Sequence, residues 1–345
     1  MKRQSLIFLG PYRTCVQDEP LGELGPQQCC VRTVLSGISA GTELLVYRGQ
    51  WPEGALVDET ISSLAREFSY PLKYGYATVG IVTDVGTHVP RELVGGRVFS
   101  FHPHESLFIE DACNLIIIPE SVSNEDAVFL PNMETALGLV MDGCPIIGET
   151  VVVFGLGVVG LLTVSLLARF PLQRLICLDR YAMRREFALN AGATYAFDPG
   201  SDDTSHGLHQ LVELQSPLVG ADLVYELSGN PSALDEAISI CGFSSRLIVG
   251  SWYGAKKAEL SLGGKFHRSR IRIISSQVSR LDPALTGRWD KKRRIELAWR
   301  FLEAVKPSRL ITHKIPFSSA IEAYPLLDQA PDKCLQIVFE YEGNI

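Results

Sequence analysis

Three closely spaced glycines and a more distant acidic residue are the part of this sequence whose types and spacing point most directly to chemistry. Gly155, Gly157 and Gly160 follow the apolar run at 151–154. Between a strand and a helix, the first glycine turns the chain, the second lets the backbone approach a pyrophosphate, and the third lets the helix lie close to the strand. The N–H groups at the helix N-terminus then face the phosphates. The pattern predicts dinucleotide binding by Gly155, Leu156, Gly157, Val158, Val159 and Gly160.

The acidic residue sets the expected cofactor. Asp179 ends a second apolar run about twenty residues beyond the glycines, where a carboxylate accepts hydrogen bonds from the ribose hydroxyls of NAD(H). Arg180 follows directly, and an arginine in this place can instead meet the 2′-phosphate of NADP(H). We therefore expect NAD(H) as the preferred cofactor, with NADP(H) as the alternative.

A membrane span is the competing interpretation of the same segment, because residues 151–168 carry no charged side chain. The β-branched residues that open the segment and Arg169 that follows it favour a strand and a helix instead. Strand and helix patterns continue to alternate after it. We therefore expect a nucleotide-binding fold and no membrane partner.

Composition narrows the class of protein further. The formal net charge is −7, which argues against a nucleic-acid partner. The apolar stretch at 6–9 is stopped by Gly10 and Pro11 and is too short for a secretory signal, so a cytoplasmic protein is expected. The eight cysteines show neither zinc-ligand spacing nor a disulfide framework. The expected partner is a small-molecule substrate.

Two patterns divide the chain into a β-rich part and an alternating part. Glycine and proline signals separate short strands in the first part, and a helix at 124–141 with Ser123 as N-cap follows them. The strands of the first part are predicted at 28–36, 77–85, 97–101 and 115–119. Strands at 151–154, 175–179, 195–198, 222–227, 246–250 and 271–275 alternate with helices at 161–169, 182–191, 208–215 and 232–241. This alternation predicts an α/β fold with a doubly wound parallel sheet.

Four segments carry a resemblance to a known family. Residues 34–43, 75–86, 95–98 and 132–137, in this order, resemble the medium-chain dehydrogenase/reductase superfamily, which contains alcohol dehydrogenases and quinone oxidoreductases. The resemblance implies a GroES-like, β-rich catalytic domain and a Rossmann dinucleotide-binding domain, with the cofactor between them. The catalytic domain is expected at 1–131 and 277–345, and the Rossmann domain at 132–276. An edge strand at 271–275 is expected to join two subunits in a homodimer.

The resemblance also implies an activity. Shorter segments, among them 38–43, 101–104 and 266–270, are similar to a subgroup that includes the 2-desacetyl-2-hydroxyethyl bacteriochlorophyllide dehydrogenase. We expect an NAD(P)(H)-dependent oxidoreductase that interconverts a secondary alcohol and a ketone. Two alternatives stay open: an NADPH-dependent enone or quinone reductase, and a nucleotide-binding protein that has lost catalysis.

The sequence departs from the zinc-dependent members at every ligand position. Ser39 stands where they carry a cysteine, Tyr76 and Ala77 stand where they carry histidine and glutamate, and the third position, near Pro131 and Asn132, is also changed. These residues lack the thiolate and imidazole donors of a tetrahedral zinc site. The sequence therefore predicts a zinc-independent enzyme in which another group transfers the proton.

Four residues are candidates for that proton transfer. Tyr76 has a phenol whose ordinary pKa of about 10 suits donation, although it could equally fill the volume of the missing metal. His102 matches a position that lines the substrate pocket in the family, and histidine carries protons near neutral pH, although a strand-end histidine is often a plain surface residue. Ser39 and Glu134 are polar residues expected near the cleft, as is Glu43.

Further cofactor contacts follow from the resemblance. Thr135 matches a threonine beside the nicotinamide ring, and Arg184 matches a basic residue near the adenosine ribose. The remaining candidates follow strand ends, where such sheets bind ligands: Ser228, Gly229, Val249, Gly250 and Ser251. The basic run 291–294, in contrast, is interpreted as a solvated helix face.

Overall fold

The computed structural model of the protein describes residues 2–58, 61, 64–201, 208, 211–212 and 220–342. The chain forms two compact units, Met1–Pro131 with Trp299–Ile345, and Asn132–Ala298. Residues 277–298 pack with the second unit, whereas the sequence placed this boundary at 276/277. A contact with the helix at 130–143 accounts for the difference, because Arg294 donates a hydrogen bond to Glu134.

The strands and helices of the described residues have the following bounds. The strands are β1 (Lys2–Gly10), β2 (Arg13–Pro20), β3 (Gln28–Gly37), β4 (Thr78–Val85), β5 (Arg97–Ser100), β6 (Leu107–Asp111), β7 (Ile116–Ile117), β8 (Thr150–Phe154), β9 (Arg174–Leu178), β10 (Tyr195–Phe197), β11 (Ala221–Glu226), β12 (Cys241–Val249), β13 (Arg272–Ser275), β14 (Ile311–Pro316) and β15 (Gln336–Glu340). The helices are α1 (Ala40–Arg48), α2 (Asn124–Ala127), α3 (Leu130–Gly143), α4 (Val158–Leu167), α5 (Ala182–Asn190), α6 (Pro231–Ile240), α7 (Lys291–Val305) and α8 (Ala323–Gln329).

The first unit is built on a mostly antiparallel sheet. Its strand order is β14-β15-β3-β4-β5-β7, with β6 also pairing with β3, and β1 and β2 form a separate hairpin. Its largest buried side chains are aromatic and include Phe8, Tyr74, Tyr324 and Phe339. These rings pack around α1, which places the start of this helix beside the end of β3.

The second unit contains a parallel sheet of six strands in the order β10-β9-β8-β11-β12-β13. β8 lies inside this sheet, and all five of its residues are buried, as expected for a strand covered by helices on both faces. The fold class is therefore confirmed as a β-rich unit combined with a Rossmann-type α/β unit. None of the described helices is both long enough and apolar enough to cross a bilayer.

Local patterns predicted most strands to within a few residues, but one helix differs. The expected helix at 124–141 is two helices, α2 and α3, because Pro131 lies in the first turn of α3. A proline lacks the N–H that a helix interior requires, whereas the first turn tolerates it. Ser123 caps α2 as predicted, since its side chain accepts a hydrogen bond from the N–H of Asp126. The predicted helix at 208–215 lies mostly outside the described residues.

Candidate functional site

The carboxyl ends of four parallel strands bring the predicted cofactor residues to one edge of the second unit. Phe154 at the end of β8 is in register with Leu178 of β9 on one side and with Glu226 of β11 on the other. Glu226 is in turn in register with Val249 of β12. The chain continues from β8 through β9 to β10 and then returns to β11, so the strand order reverses between β8 and β11. Open α/β sheets bind ligands at such a switch point.

The glycine turn after β8 has the steric features that its sequence predicts. Gly155 has a φ of +88°, and a Cβ there would lie 2.5 Å from the backbone that follows β11. A Cβ on Gly160 would lie 2.0 Å from the carbonyl oxygen of Gly155. Gly157 is the N-cap of α4, and a Cβ there would meet no atom within 4 Å. Beside this open space the first N–H groups of α4, including those of Val158 and Val159, have no carbonyl partner within the helix.

Asp179 lies against this turn and is 8% exposed. Its Oδ2 accepts a hydrogen bond from the N–H of Leu156 at 2.8 Å, and its Oδ1 accepts one from the N–H of Tyr181 at 2.9 Å. The Arg184 guanidinium is 3.9 Å from Oδ2, and Arg180 is exposed beside it in sequence. The acid, the turn and both arginines therefore share one corner of the unit.

The loops after β11 and β12 are joined around a buried carboxylate. The N–H of Gly229 donates to Ser251 Oγ at 2.8 Å, and the N–H of Ser228 donates to Glu226 Oε1, also at 2.8 Å. Glu226 is fully buried and also accepts a hydrogen bond from the Tyr253 phenol. Burial and the Glu226 carboxylate raise the pKa of Tyr253, so this phenol stays a donor. Val249 ends β12 and Gly250 follows it at this edge, and their contact with a cofactor stays a prediction.

Ser39 and Tyr76 come together in the first unit. Ser39 is the N-cap of α1, and Tyr76 lies two residues before β4. The Tyr76 phenol donates a hydrogen bond to Ser39 Oγ and lies 3.3 Å from Thr42 Oγ1. Burial raises the pKa of Tyr76 to about 12 although the hydrogen bonds to both hydroxyls lower it. Tyr76 is therefore a neutral phenol, and hence a hydrogen-bond donor, at neutral pH.

A buried carboxylate and imidazole lie next to this pair. Glu43 and His104 are both 0% exposed, and His104 Nε2 is 3.1 Å from Glu43 Oε2. The same oxygen accepts a hydrogen bond from the Tyr324 phenol at 2.6 Å, and Oε1 accepts one from the N–H of Ser39 at 2.7 Å. His104 Nδ1 is 2.7 Å from Ser36 Oγ. Hydrogen bonds around the carboxylate thus connect the start of α1 with α8 and the segment after β5.

His102 lies in a different environment from His104. β5 ends at Ser100, before both histidines, so the two rings do not lie on one face of a strand. His102 stacks on Phe108 at 4.0 Å, and its ring nitrogens are 3.1 Å from Glu105 and 3.4 Å from Glu110. Burial lowers the pKa of His102, but the hydrogen bonds to both carboxylates outweigh burial and raise it.

An open pocket of about 650 Å³ in the first unit is lined by His102 and Glu105. Lys73 and Arg3 also line it, and both form ion pairs with Glu105. His102 contacts neither Ser39 nor Tyr76 through any described hydrogen bond. Its catalytic role therefore stays a prediction.

Glu134 is held in an ion pair within the second unit. It lies on α3 with 3% of its side chain exposed, and its Oε1 accepts hydrogen bonds from Arg294 at 3.2 Å and 2.8 Å. Arg294 is 1% exposed and also donates to the carbonyl of Val278. The interpretation of the run 291–294 as a solvated face is therefore wrong for Arg294. Thr135, the next residue of α3, is half-buried.

Sequence reasoning missed the partners that lie far away along the chain. Tyr324, Tyr341, Ser36 and Arg294 carry no motif, and nothing in their local sequence indicates contact with Glu43, His104 or Glu134. Glu226 could have been identified from the sequence, since it is the acidic last residue of an otherwise mostly apolar strand.

The parallel sheet with a glycine turn at its switch point defines a Rossmann-type dinucleotide-binding unit. Residues 158–291 match the family described as zinc-binding dehydrogenase. The chain is therefore similar to the medium-chain dehydrogenase/reductase superfamily in this part of its sequence, in agreement with the resemblance carried by its motifs.

Relatives of known sequence and structure agree with this assignment. D-guloside 3-dehydrogenase of Escherichia coli K12 is 26% identical over 269 residues, which cover 76% of each chain. The starvation-sensing protein RspB of the same strain is 22% identical over 98% of this chain and 99% of its own. A solved structure described as a short chain alcohol dehydrogenase (RspB) from E. coli CFT073 with NADH has a TM-score of 0.77 and 20% identity, covering 98% and 99% of the two chains. The 2R,3R-butanediol dehydrogenase of Bacillus subtilis has the same TM-score at 18% identity and the same coverage. The likeness to the bacteriochlorophyllide subgroup stays a prediction.

Proposed function

We propose that this chain is an oxidoreductase that uses NAD(H) by preference, or NADP(H), to interconvert a secondary alcohol and a ketone without a catalytic zinc ion. The observation that carries the proposal is the hydrogen bond between Tyr76 and Ser39. These are two of the positions at which zinc-dependent members of the superfamily carry ligands. Here the two side chains bind each other. Several relatives are named as dehydrogenases, which supports the general class of reaction.

The donor chemistry of these residues does not fit zinc. Protein zinc sites use thiolate, imidazole or carboxylate donors. Ser39 offers a neutral hydroxyl, and Tyr76, with a pKa of about 12, offers a neutral phenol. Among the residues that the structure describes, no group of three or more His, Cys, Asp and Glu side chains could hold a metal ion. No step of the proposed chemistry therefore passes through zinc.

The second unit fits a nicotinamide dinucleotide. The turn from Gly155 to Gly160 and the start of α4 would hold the pyrophosphate, and Asp179 would hold the adenosine ribose. Arg180 and Arg184 lie at the same corner and would meet a 2′-phosphate, which keeps NADP(H) as the second choice. When bound, this cofactor donates or accepts the hydride of the reaction.

The first unit supplies the proton. Ser39 Oγ accepts the phenol hydrogen of Tyr76, so the hydroxyl hydrogen of Ser39 is available for a substrate oxygen. In ketone reduction Ser39 protonates the developing alkoxide, Tyr76 restores the proton of Ser39, and solvent returns a proton to the Tyr76 phenolate before the next turnover. A phenol with a raised pKa gives up its proton only to a strong base, and the alkoxide is such a base. Alcohol oxidation follows the reverse path.

The test measures hydride transfer in metal-depleted protein. Purified enzyme treated with a chelator is assayed with NADH and NADPH against panels of ketones and enones, and with NAD⁺ against secondary alcohols and polyols. We expect ketone reduction that survives the chelator, and a loss of kcat on the order of 10² to 10⁴ in Tyr76→Phe. Tyr70→Phe is the matched control, because it removes a phenol that donates to the carbonyl of Val46 elsewhere in the same unit.

Three outcomes would contradict the proposal. Stoichiometric zinc that restores lost activity would show a metal enzyme. Reduction of enones but not of ketones, with full activity in Tyr76→Phe, would favour the enone or quinone reductase. Tight NADH binding without turnover of any substrate would favour a nucleotide-binding protein that has lost catalysis.

A further inference from the structure

We infer that Glu43 is a positioning residue for the proton-transfer pair, and that His104 and Tyr324 hold its carboxylate in place. The inference rests on the proposed function, because it explains how Ser39 is held in position for Tyr76. Glu43 does not contact Tyr76 through a described hydrogen bond. It acts on the backbone of Ser39.

The start of α1 shows how this works. In a capping box, the N-cap side chain accepts a hydrogen bond from an N–H of the first turn while an acid of that turn accepts one from the N-cap N–H. Here only half of the arrangement is present. Glu43 accepts the N–H of Ser39 at 2.7 Å, but the Ser39 hydroxyl makes no cap hydrogen bond. This hydroxyl is instead the acceptor of the Tyr76 phenol.

Three donors fix the Glu43 carboxylate. The Ser39 N–H binds Oε1, whereas Tyr324 and His104 both bind Oε2. The three donors come from separate parts of the unit: the start of α1, helix α8 and the segment after β5. A carboxylate held in this way has one allowed orientation, and so does the backbone amide that binds to it.

The hydrogen-bond pattern also indicates which tautomer a neutral His104 ring would adopt. Nε2 faces a carboxylate and therefore donates, so in the neutral ring Nδ1 accepts the hydroxyl hydrogen of Ser36 at 2.7 Å. Ser36 Oγ then accepts the phenol hydrogen of Tyr341 at 2.8 Å. Every donor along this path has an acceptor, which makes the network rigid.

Close packing holds the imidazole ring from two further sides. A Cβ on Gly75 would lie 2.7 Å from His104 Cδ2, so only glycine leaves room for the ring. Phe339 of β15 meets the ring edge-on, with the centroids 5.0 Å apart. Because Gly75 directly precedes Tyr76, the ring that orients Glu43 also packs against the segment that carries the phenol.

The decisive experiment compares Glu43→Ala with Glu43→Gln. Alanine removes the acceptor of the Ser39 N–H, and a displacement of a reacting group by about 1 Å can lower kcat on the order of 10²-fold. We expect such a fall with little change in KM. Glutamine keeps an oxygen for Ser39. Its NH₂ group takes the place of Oε2, where it can donate to His104 after the ring changes tautomer and to the Tyr324 oxygen after that hydroxyl rotates. We therefore expect Glu43→Gln to recover kcat to within roughly 10-fold of the wild type.

The control variant disturbs the other end of the same helix. Asp328→Asn removes the negative charge that pairs with Arg48 in the last turn of α1, where the two groups are 2.6 Å apart. It should weaken α1 and leave kcat unchanged. Thermal midpoints of all variants show whether a loss of activity is merely a loss of folded protein.

A readout without substrate separates this inference from the proposed function. In ¹⁵N-serine-labelled protein, the Ser39 amide proton, bound to a buried carboxylate, should resonate far downfield. It should move upfield in Glu43→Ala and stay near its place in Glu43→Gln. If Glu43→Ala does not fold, Tyr324→Phe, which removes one of the three donors, should give a smaller shift and a smaller loss of kcat.

Two results would overturn the inference. One is full kcat in folded Glu43→Ala or in Tyr324→Phe, and the other is an equal loss of kcat in Glu43→Gln and Glu43→Ala. A wild-type protein without hydride transfer would instead refute the proposed function, and the amide shift would still report on whether Glu43 positions Ser39.

Discussion

The ion pair between Glu134 and Arg294 makes a prediction that separates stability from catalysis. Sequence reasoning placed Glu134 among the candidates for proton transfer, whereas the structure pairs it with an arginine that is 1% exposed. We expect Glu134→Ala to act first on the folding of the second unit. Of the hydrogen bonds that the structure describes for this guanidinium, both of those to Oε1 would be lost and the one to the carbonyl of Val278 would remain.

The expected loss of unfolding free energy in Glu134→Ala follows from the burial of both charges. Removing one partner of a buried ion pair leaves an uncompensated charge, which costs about 3–5 kcal/mol of unfolding free energy. Replacing both partners by apolar residues of similar size is often neutral or stabilising. Glu134→Leu combined with Arg294→Met should therefore recover most of the stability that Glu134→Ala loses. Glu134→Gln keeps an acceptor and should fall between them.

Urea titrations of the three variants and the wild type, followed by fluorescence and by circular dichroism, measure these differences. kcat is measured in parallel at a temperature where every variant is folded. A loss below about 1 kcal/mol in Glu134→Ala would place this pair among weak surface interactions and refute the reasoning. A large fall of kcat in the stable double variant would return Glu134 to a role in catalysis.

Three further predictions concern the cofactor, acid stability and assembly. Asp179→Ala should weaken the binding of NADH more than the binding of NADPH in calorimetric titrations. Equal losses of affinity for the two nucleotides would contradict the assignment of this acid to the ribose. Burial raises the pKa of Glu105, but hydrogen bonds from His102 and Lys73 outweigh burial and lower this pKa from 4.5 to about 2. The ionised carboxylate therefore stabilises the folded state above pH 4.5, and this stabilisation is lost as the pH falls towards 2. That contribution is about 3 kcal/mol, and urea midpoints between pH 5.5 and 3 should fall less steeply in Glu105→Gln than in the wild type. We also propose a homodimer joined through β13, which is an edge strand with Ile273 exposed. Ile273→Lys should then convert the dimer to a monomer in light scattering, and a monomeric wild-type protein would rule this proposal out.

The cofactor edge could be predicted from sequence because its information is local. Gly155, Gly160 and Asp179 lie within one strand–helix–strand unit, and their spacing alone states which atoms must approach one another. The positions of Ser39 and Tyr76 came from resemblance, but that they bind each other did not.

The network around Glu43 could not be predicted for a physical reason. Its partner Tyr324 is 281 residues away, and Tyr341 is 305 residues from Ser36. Contacts of this kind depend on how β15 and α8 close the unit, and a buried polar group shows no periodicity of its own. The burial of Arg294 could not be predicted for the same reason, because it lies in a run of basic residues that is typical of a solvated helix face.

The position of Asp179 bears on how the protein would receive a nucleotide. A carboxylate offers about four lone pairs, and two of those on Asp179 already bind the amides of Leu156 and Tyr181. Two lone pairs remain, the same number as the hydroxyls of an adenosine ribose. A sugar could then dock without breaking either amide contact, so little rearrangement would accompany capture, and the free and loaded forms of this corner should look nearly alike.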